Sequence, residues 1–161
     1  MITQQKKSVR TGSDASSGQV ANLIREYKKA RWSPNSERIG KPDTLSVWYS
    51  IEDMENFLAL TKSKGGDGIR FYFAAYPEDY APKPLYAGRQ TLAMVGTRSK
   101  TTETKSIANK DIYLSKNGQL KILSGVIPQG CPPTCNPPSE GGMGDLGITI
   151  IDKGEKGMEI I

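Results

Sequence analysis

The chain of 161 residues contains no histidine. That absence excludes Ser-His-Asp and Cys-His catalysis, imidazole metal sites and the histidine pH switch. Only two cysteines occur, Cys131 and Cys135, too few for a scaffold held together by disulfides. No apolar run is long enough to span a bilayer, which argues against a transmembrane helix and a membrane partner. The opening residues Met1-Ile2-Thr3-Gln4-Gln5-Lys6-Lys7 have no apolar stretch behind their lysines. No signal peptide is therefore expected, and the default location is the cytoplasm. Phenylalanine is scarce too, with three in the chain.

Glycine and proline are plentiful, at 17 and 10 residues, and imply many loops. The length predicts one domain. The expected division is a disordered tail over 1–16, a globular domain over 17–125, and a Pro/Gly-rich, cysteine-containing segment over 126–161. The net charge of +5 is unevenly spread: residues 1–31 alone carry +5, and the stretch from Glu140 carries −3. Solvation accounts for such a distribution. Nucleic acid or another acidic partner is the lesser reading.

The most strand-like stretch is Gly68-Ile69-Arg70-Phe71-Tyr72-Phe73-Ala74-Ala75-Tyr76, between the turn signal Gly65-Gly66-Asp67-Gly68 and Pro77. Alternation puts Ile69, Phe71, Phe73 and Ala75 on one side, and Arg70, Tyr72, Ala74 and Tyr76 on the other. Two of the three phenylalanines lie here, so the core is expected to condense on this strand. A helix is expected from Ser16 or Ser17 to a stop at Trp32-Ser33-Pro34, with Val20, Leu23, Ile24 and Tyr27 on its apolar face. Leu45–Tyr49 reads as a strand. Ser50, with Asp53 three residues on, caps a second helix whose stripe is Ile51, Met54, Phe57, Leu58 and Thr61. Strand, helix and central strand then predict a β-α-β unit with a parallel crossover, the alternative being an antiparallel arrangement with an intervening strand.

Pro77, Pro82 and Pro84 stiffen the next loop. Gln90–Thr97 is a strand beside 69–76, and Arg98–Lys110 reads as a polar loop. Ile112–Leu114 and Leu120–Leu123 are short strands around the Asn117-Gly118 turn signal. Leu146–Ile151 could add one edge strand, and the closing residues are expected to be loose. The fold class is thus α/β or α+β: a small mixed sheet of four to five strands with two helices, a disordered N-terminal tail and a Pro/Gly-rich C-terminal segment.

Ser46-Val47-Trp48-Tyr49, Ser50-Ile51-Glu52-Asp53 and Gly68-Ile69-Arg70-Phe71-Tyr72-Phe73 with Tyr76 resemble a group of small bacterial proteins without an assigned activity. Cys131-Pro132-Pro133-Thr134-Cys135 is similar to an element near the ends of such chains. The resemblance covers residues 44–135. It implies a bacterial source and a shared fold, and no substrate, cofactor or catalytic residue.

The C-x-x-x-C pair has four readings: a local disulfide, half of a metal site shared between chains, a thiol redox site, or two incidental thiols. Tyr72, Tyr76, Tyr80 and Tyr86, with Arg70 and Arg89, form the second concentration. Tyrosine and arginine join apolar area to hydrogen bonding and suit contact surfaces. Adjacent Glu78 and Asp79 do not converge by themselves as an acid/base pair. The Gly65–Gly68 turn precedes a strand, the wrong order for a phosphate loop.

These features favour a non-catalytic binding or protein-interaction module whose contact region is Arg70, Tyr72, Tyr76, Tyr80, Tyr86 and Arg89. Its partner would be a protein or small molecule. No cofactor, metal or catalytic residue is assigned. The alternatives are a small histidine-independent enzyme using Arg70, a tyrosine and Glu78 or Asp79, and a nucleic-acid binder using the basic N-terminal helix.

Overall fold

A computed structural model describes residues 12–134, 150–152 and 158–160. In chain order the elements are α1 (Ser17–Tyr27), a wide π turn (Lys28–Trp32), α2 (Ser33–Ile39), β1 (Ser46–Trp48), α3 (Ile51–Ser63) and β2 (Gly68–Ala75). A short 3-10 turn (Pro84–Tyr86) follows, then β3 (Gln90–Thr101), β4 (Ile107–Asp111), β5 (Tyr113–Lys116), β6 (Gln119–Ile122) and β7 (Gln129–Cys131). Two further strands, β8 (Ile150–Asp152) and β9 (Met158–Ile160), pair antiparallel with each other. The class is mixed α+β. Within residues 12–134 there are seven strands in three small sheets, rather than one mixed sheet of four to five. Of the expected tail, 12–16 carry no regular structure and 1–11 lie outside the described residues.

The chain forms two compact units. The first gathers Tyr49–Ala74 and Leu92–Pro128; the second gathers Gly12–Trp48, Ala75–Thr91 and the described part of Gln129–Ile161.

In the first unit Ser50 caps α3 by accepting the Asp53 backbone N–H at 3.0 Å. Glu52 and Asp53 sit in its first turn, where the helix dipole favours acids. Only part of the expected stripe is used: Phe57 and Thr61 are buried, Met54 packs against the core, and Ile51 is largely exposed. The core is Phe57, Met94, Ile112 and Leu123, flanked by Tyr49, Met54, Ile69 and Leu114. It condenses on α3, β3 and the β5–β6 hairpin, not on β2 as the sequence suggested. A ring of three backbone bonds closes its floor: Ile112 N–H to Gly96 O, Gly96 N–H to Leu123 O, and Leu123 N–H to Ile112 O, at 2.9, 2.9 and 2.8 Å. Gly96 is required there, because a Cβ would lie 2.8 Å from Leu123 Cδ2 and 2.9 Å from Thr61 Oγ1.

The main sheet of this unit has the order β2-β3-β4. The Asp67 N–H donates to the Thr97 carbonyl at 3.0 Å where β2 begins. The expected polar loop over 98–110 is instead the end of β3 paired antiparallel with β4, from Thr97↔Asp111 to Thr101↔Ile107. A ribbon with polar side chains on both faces has no alternation to betray it. The β5–β6 hairpin turns where the Asn-Gly signal placed it, with φ of +52° and +75° at Asn117 and Gly118. Those angles suit the tight turn that matches strand twist.

In the second unit Ser16 and Gln19 form a reciprocal capping box at the start of α1. Ala21 is buried, while Leu23, expected inside, is 68% exposed. The helix does not stop at Pro34. It widens over Lys28–Trp32 and continues as α2 to Gly40, which closes it at φ +69°. Pro34 has no N–H to offer the Ala30 carbonyl four residues back. Arg31 Nη1 donates to that carbonyl instead, at 2.9 Å.

The expected parallel crossover is also overturned. β1 pairs antiparallel with β7, in the register Ser46↔Cys131 and Trp48↔Gln129. Three-residue strands are too short for either to announce its partner. Among the described residues of this unit the buried side chains include the polar Asp43, Thr44 and Arg89. Asp43 and Thr44 are 2% exposed, and Asp43 takes part in four hydrogen bonds. Its N–H donates to Ser36 Oγ (2.9 Å), its carbonyl accepts from Trp32 Nε1 (2.8 Å), and its Oδ1 accepts from the N–H groups of Thr44 and Gln90 (2.7 and 2.8 Å).

Candidate docking site

β2 is the outer strand of its sheet, and no described strand pairs with its other edge. Exposed edges recruit foreign strands, and folds normally blunt them with lysine, proline, a bulge or a short strand. β2 has none of the first two and runs for eight residues. Its single charge is Arg70, and that charge is drawn away from the edge. The Arg70 guanidinium reaches over the sheet to β4, donating to Asp111 Oδ1 at 2.5 Å and to the Asn109 carbonyl at 2.8 Å. The side chains left along the strand are apolar. Phe73 is 90% exposed, and Phe71 and Tyr72 are each 41% exposed. The Phe71 ring lies 6.1 Å from that of Tyr49, between centroids.

Arg70, Tyr72 and Asp111 form a closed triangle. The Tyr72 hydroxyl donates to Asp111 Oδ2 at 2.5 Å, and Arg70 Nη1 lies 3.2 Å from the same hydroxyl oxygen. The bond to Tyr72, followed by the attraction of Asp111, raises the Arg70 guanidinium above its already high range. Each carboxylate oxygen of Asp111 thus accepts one bond from the pair. Asp111 was not singled out in the sequence because it closes a Lys-rich polar stretch.

The remaining contact residues belong to the second unit. The Tyr76 ring lies 4.8 Å from Tyr80 and 5.3 Å from Tyr86, between centroids. Lys83 Nζ sits 5.6 Å above the Tyr86 ring, a cation–π distance. Burial is the main cause that raises the Tyr76 hydroxyl above its usual value, with a Thr91 hydrogen bond opposing. Tyr86 already has a partner within the chain: its hydroxyl is 2.5 Å from Thr134 Oγ1. Thr44 Oγ1 donates to the Pro132 carbonyl at 2.9 Å. Tyr86 and Thr44 thus hold the Pro132-Pro133-Thr134 segment in place. Cys131, next to it, is buried and disulfide-bonded; Cys135 lies outside the described residues.

Arg89 is 6% exposed and faces inward. Its Nε donates to the Leu85 carbonyl at 2.8 Å and its Nη1 to the Pro42 carbonyl. Burial lowers its pKa, against the pull of Asp43. Glu78 points outward to Arg38 at 3.1 Å, and that carboxylate side chain is 79% exposed. With Lys41, Ile39, Ala87 and Gly88 this pair lines a shallow hollow of about 190 Å³. Among the described residues, no three or more Asp, Glu or Cys side chains converge to hold a metal, and no helix is long and apolar enough to cross a membrane.

The structure therefore divides the six expected contact residues: Arg70 and Tyr72 in the first unit, Tyr76, Tyr80, Tyr86 and the buried Arg89 in the second. Asp43, Thr44 and Gln90, which organise the second unit, had no signal beyond a Pro-Asp-Thr turn. No protein-family model matches the chain, and no curated protein or solved structure matches it.

Proposed function

We propose that this protein is a non-catalytic protein-interaction module that takes an extended strand along the open edge of β2. The observation that carries the reading is Phe73, 90% exposed on an eight-residue edge strand with no lysine or proline to guard it. Strand addition draws affinity from main-chain hydrogen bonds and selectivity from alternate side chains. β2 offers both, with Phe71 and Phe73 on one side of the strand. The enzyme reading is less well supported. Asp111 is held by Arg70 and Tyr72, and Glu78 is solvated and tied to Arg38. The N-terminal helix is a weak nucleic-acid reader as well, since Arg25 and Arg31 spend bonds on Asn22 and Ala30.

The location is part of the same proposal. Thiols in the cytoplasm stay reduced, so the bonded Cys131 suits an oxidising compartment better than the cytoplasm expected from the sequence.

The test is to pan a displayed library of random peptides against the wild-type chain and a Phe73→Lys variant. The expected binders are β-prone sequences that lose affinity for the variant and protect the Gly68–Ala75 amides from hydrogen exchange. Binders that leave those amides unprotected would count against this edge.

A further inference from the structure

We propose that the strand taken up by β2 is β2 of a second copy of this chain, paired antiparallel about a two-fold axis through Tyr72. This rests on the interaction reading above and names its occupant.

In an antiparallel pair, residues directly opposite each other share a face. A two-fold axis must then pass through a residue rather than between residues. With Tyr72 on the axis, Phe71 faces the partner's Phe73, and Phe73 faces the partner's Phe71. The two strands together make an unbroken row of four phenylalanines on one face. Phe73, the most exposed large apolar side chain in the described residues, is the residue that gains most cover. Cross-strand aromatic pairs are among the more favourable pairings in sheets.

Charge fits the same register. Like charges set directly opposite are unfavourable, and a strand pairing with itself risks that conflict at every charged position. β2 has one charged residue, Arg70. The axis at Tyr72 places it opposite the partner's Ala74. Its charge is also met within its own chain by Asp111 at 2.5 Å. An axis at Phe71 would still avoid like charges, but would leave Phe73 facing an isoleucine instead of a ring. The pairing joins two three-stranded sheets, in the order β4-β3-β2 and β2-β3-β4, into one of six strands. Three strands with an open edge are near the lower limit of a self-sufficient sheet.

The experiment is sedimentation velocity on the full chain over about a hundredfold range of concentration, with hydrogen exchange at both ends of the range. Wild type is compared with Phe73→Lys, which guards the edge, and with Phe73→Thr, which keeps strand propensity. Circular dichroism confirms that each variant is folded. The expected result is a wild-type dimer whose Gly68–Ala75 amides gain protection with concentration. Both variants should dissociate roughly thirtyfold more readily, the scale of losing a central anchor. A dimer that both variants leave intact would overturn self-pairing at this edge. A monomer at every concentration whose β2 amides are protected by displayed peptides would overturn self-pairing and leave the interaction reading standing. A monomer that no peptide protects would remove both.

Discussion

The Asp43 carboxylate accepts the backbone N–H of Gln90 at 2.8 Å, across 47 residues of chain. One buried side chain thereby fixes the entry to β3 against the turn that follows α2. A buried acceptor that serves two backbone donors is costly to remove, because both N–H groups are left without water or partner. Asp43→Ala is expected to destabilise the chain by about 2–4 kcal/mol. Asp43→Asn, which keeps an acceptor oxygen, should lose less. Guanidinium unfolding of the three chains checks this; equal midpoints would mean that Asp43 is not a keystone.

Gly96 predicts an overpacking defect. An alanine there meets Leu123 and Thr61 at under 3 Å, in the middle of the three-bond backbone ring. Gly96→Ala should cost about 1–3 kcal/mol, read as a lower thermal midpoint. A neutral result would show that β3 shifts freely at this point.

Alkaline pH should weaken the fold through Tyr27 and Tyr76. Burial raises both hydroxyls above their usual value of 10.0, with Asp43 adding to the effect at Tyr27. The folded chain then holds these protons more tightly than the unfolded chain. Their contribution is complete below the unfolded value and is lost as pH rises through the folded one. Tyr76→Phe should flatten the decline above about pH 10. Denaturant titrations at stepped pH check this, and parallel declines in the two chains would contradict it.

Cys131 should resist alkylation until a reductant is added. Peptide mapping of iodoacetamide-treated protein from its own host gives the answer. Labelling without reduction would remove the bond and, with it, the argument for an oxidising compartment.

Local chemistry was legible in the sequence and distant pairing was not. Ser16 and Ser50 announce their helices because a cap acts on a nitrogen three residues away. Asn117-Gly118 announces its turn because positive φ selects those residues. Alternation reveals β2 as a strand but not its exposure: the rule that puts phenylalanine inside assumes something to cover it. Ser46 and Cys131 share a ladder, but nothing in Ser-Val-Trp or Gln-Gly-Cys encodes the other. Arg89 looked like a surface arginine because the carbonyls it serves, Leu85 and Pro42, belong to backbone and leave no mark in composition. For the same reason the proposed site was half visible. The sequence marks Arg70 and Tyr72 as contact residues, while its alternation places Phe73 on the side expected to face the core.

The pairing of β1 with β7 also sets an order of events during synthesis. Ser46 waits for Cys131, 85 positions later, whereas the first unit ends at Pro128. The first unit can therefore close while β7 of the second is still inside the ribosome. Until it emerges, Thr44 lacks the Pro132 carbonyl and Tyr86 lacks Thr134. A nascent or truncated chain ending at residue 125 would have a nearly complete first unit and a second one without β7.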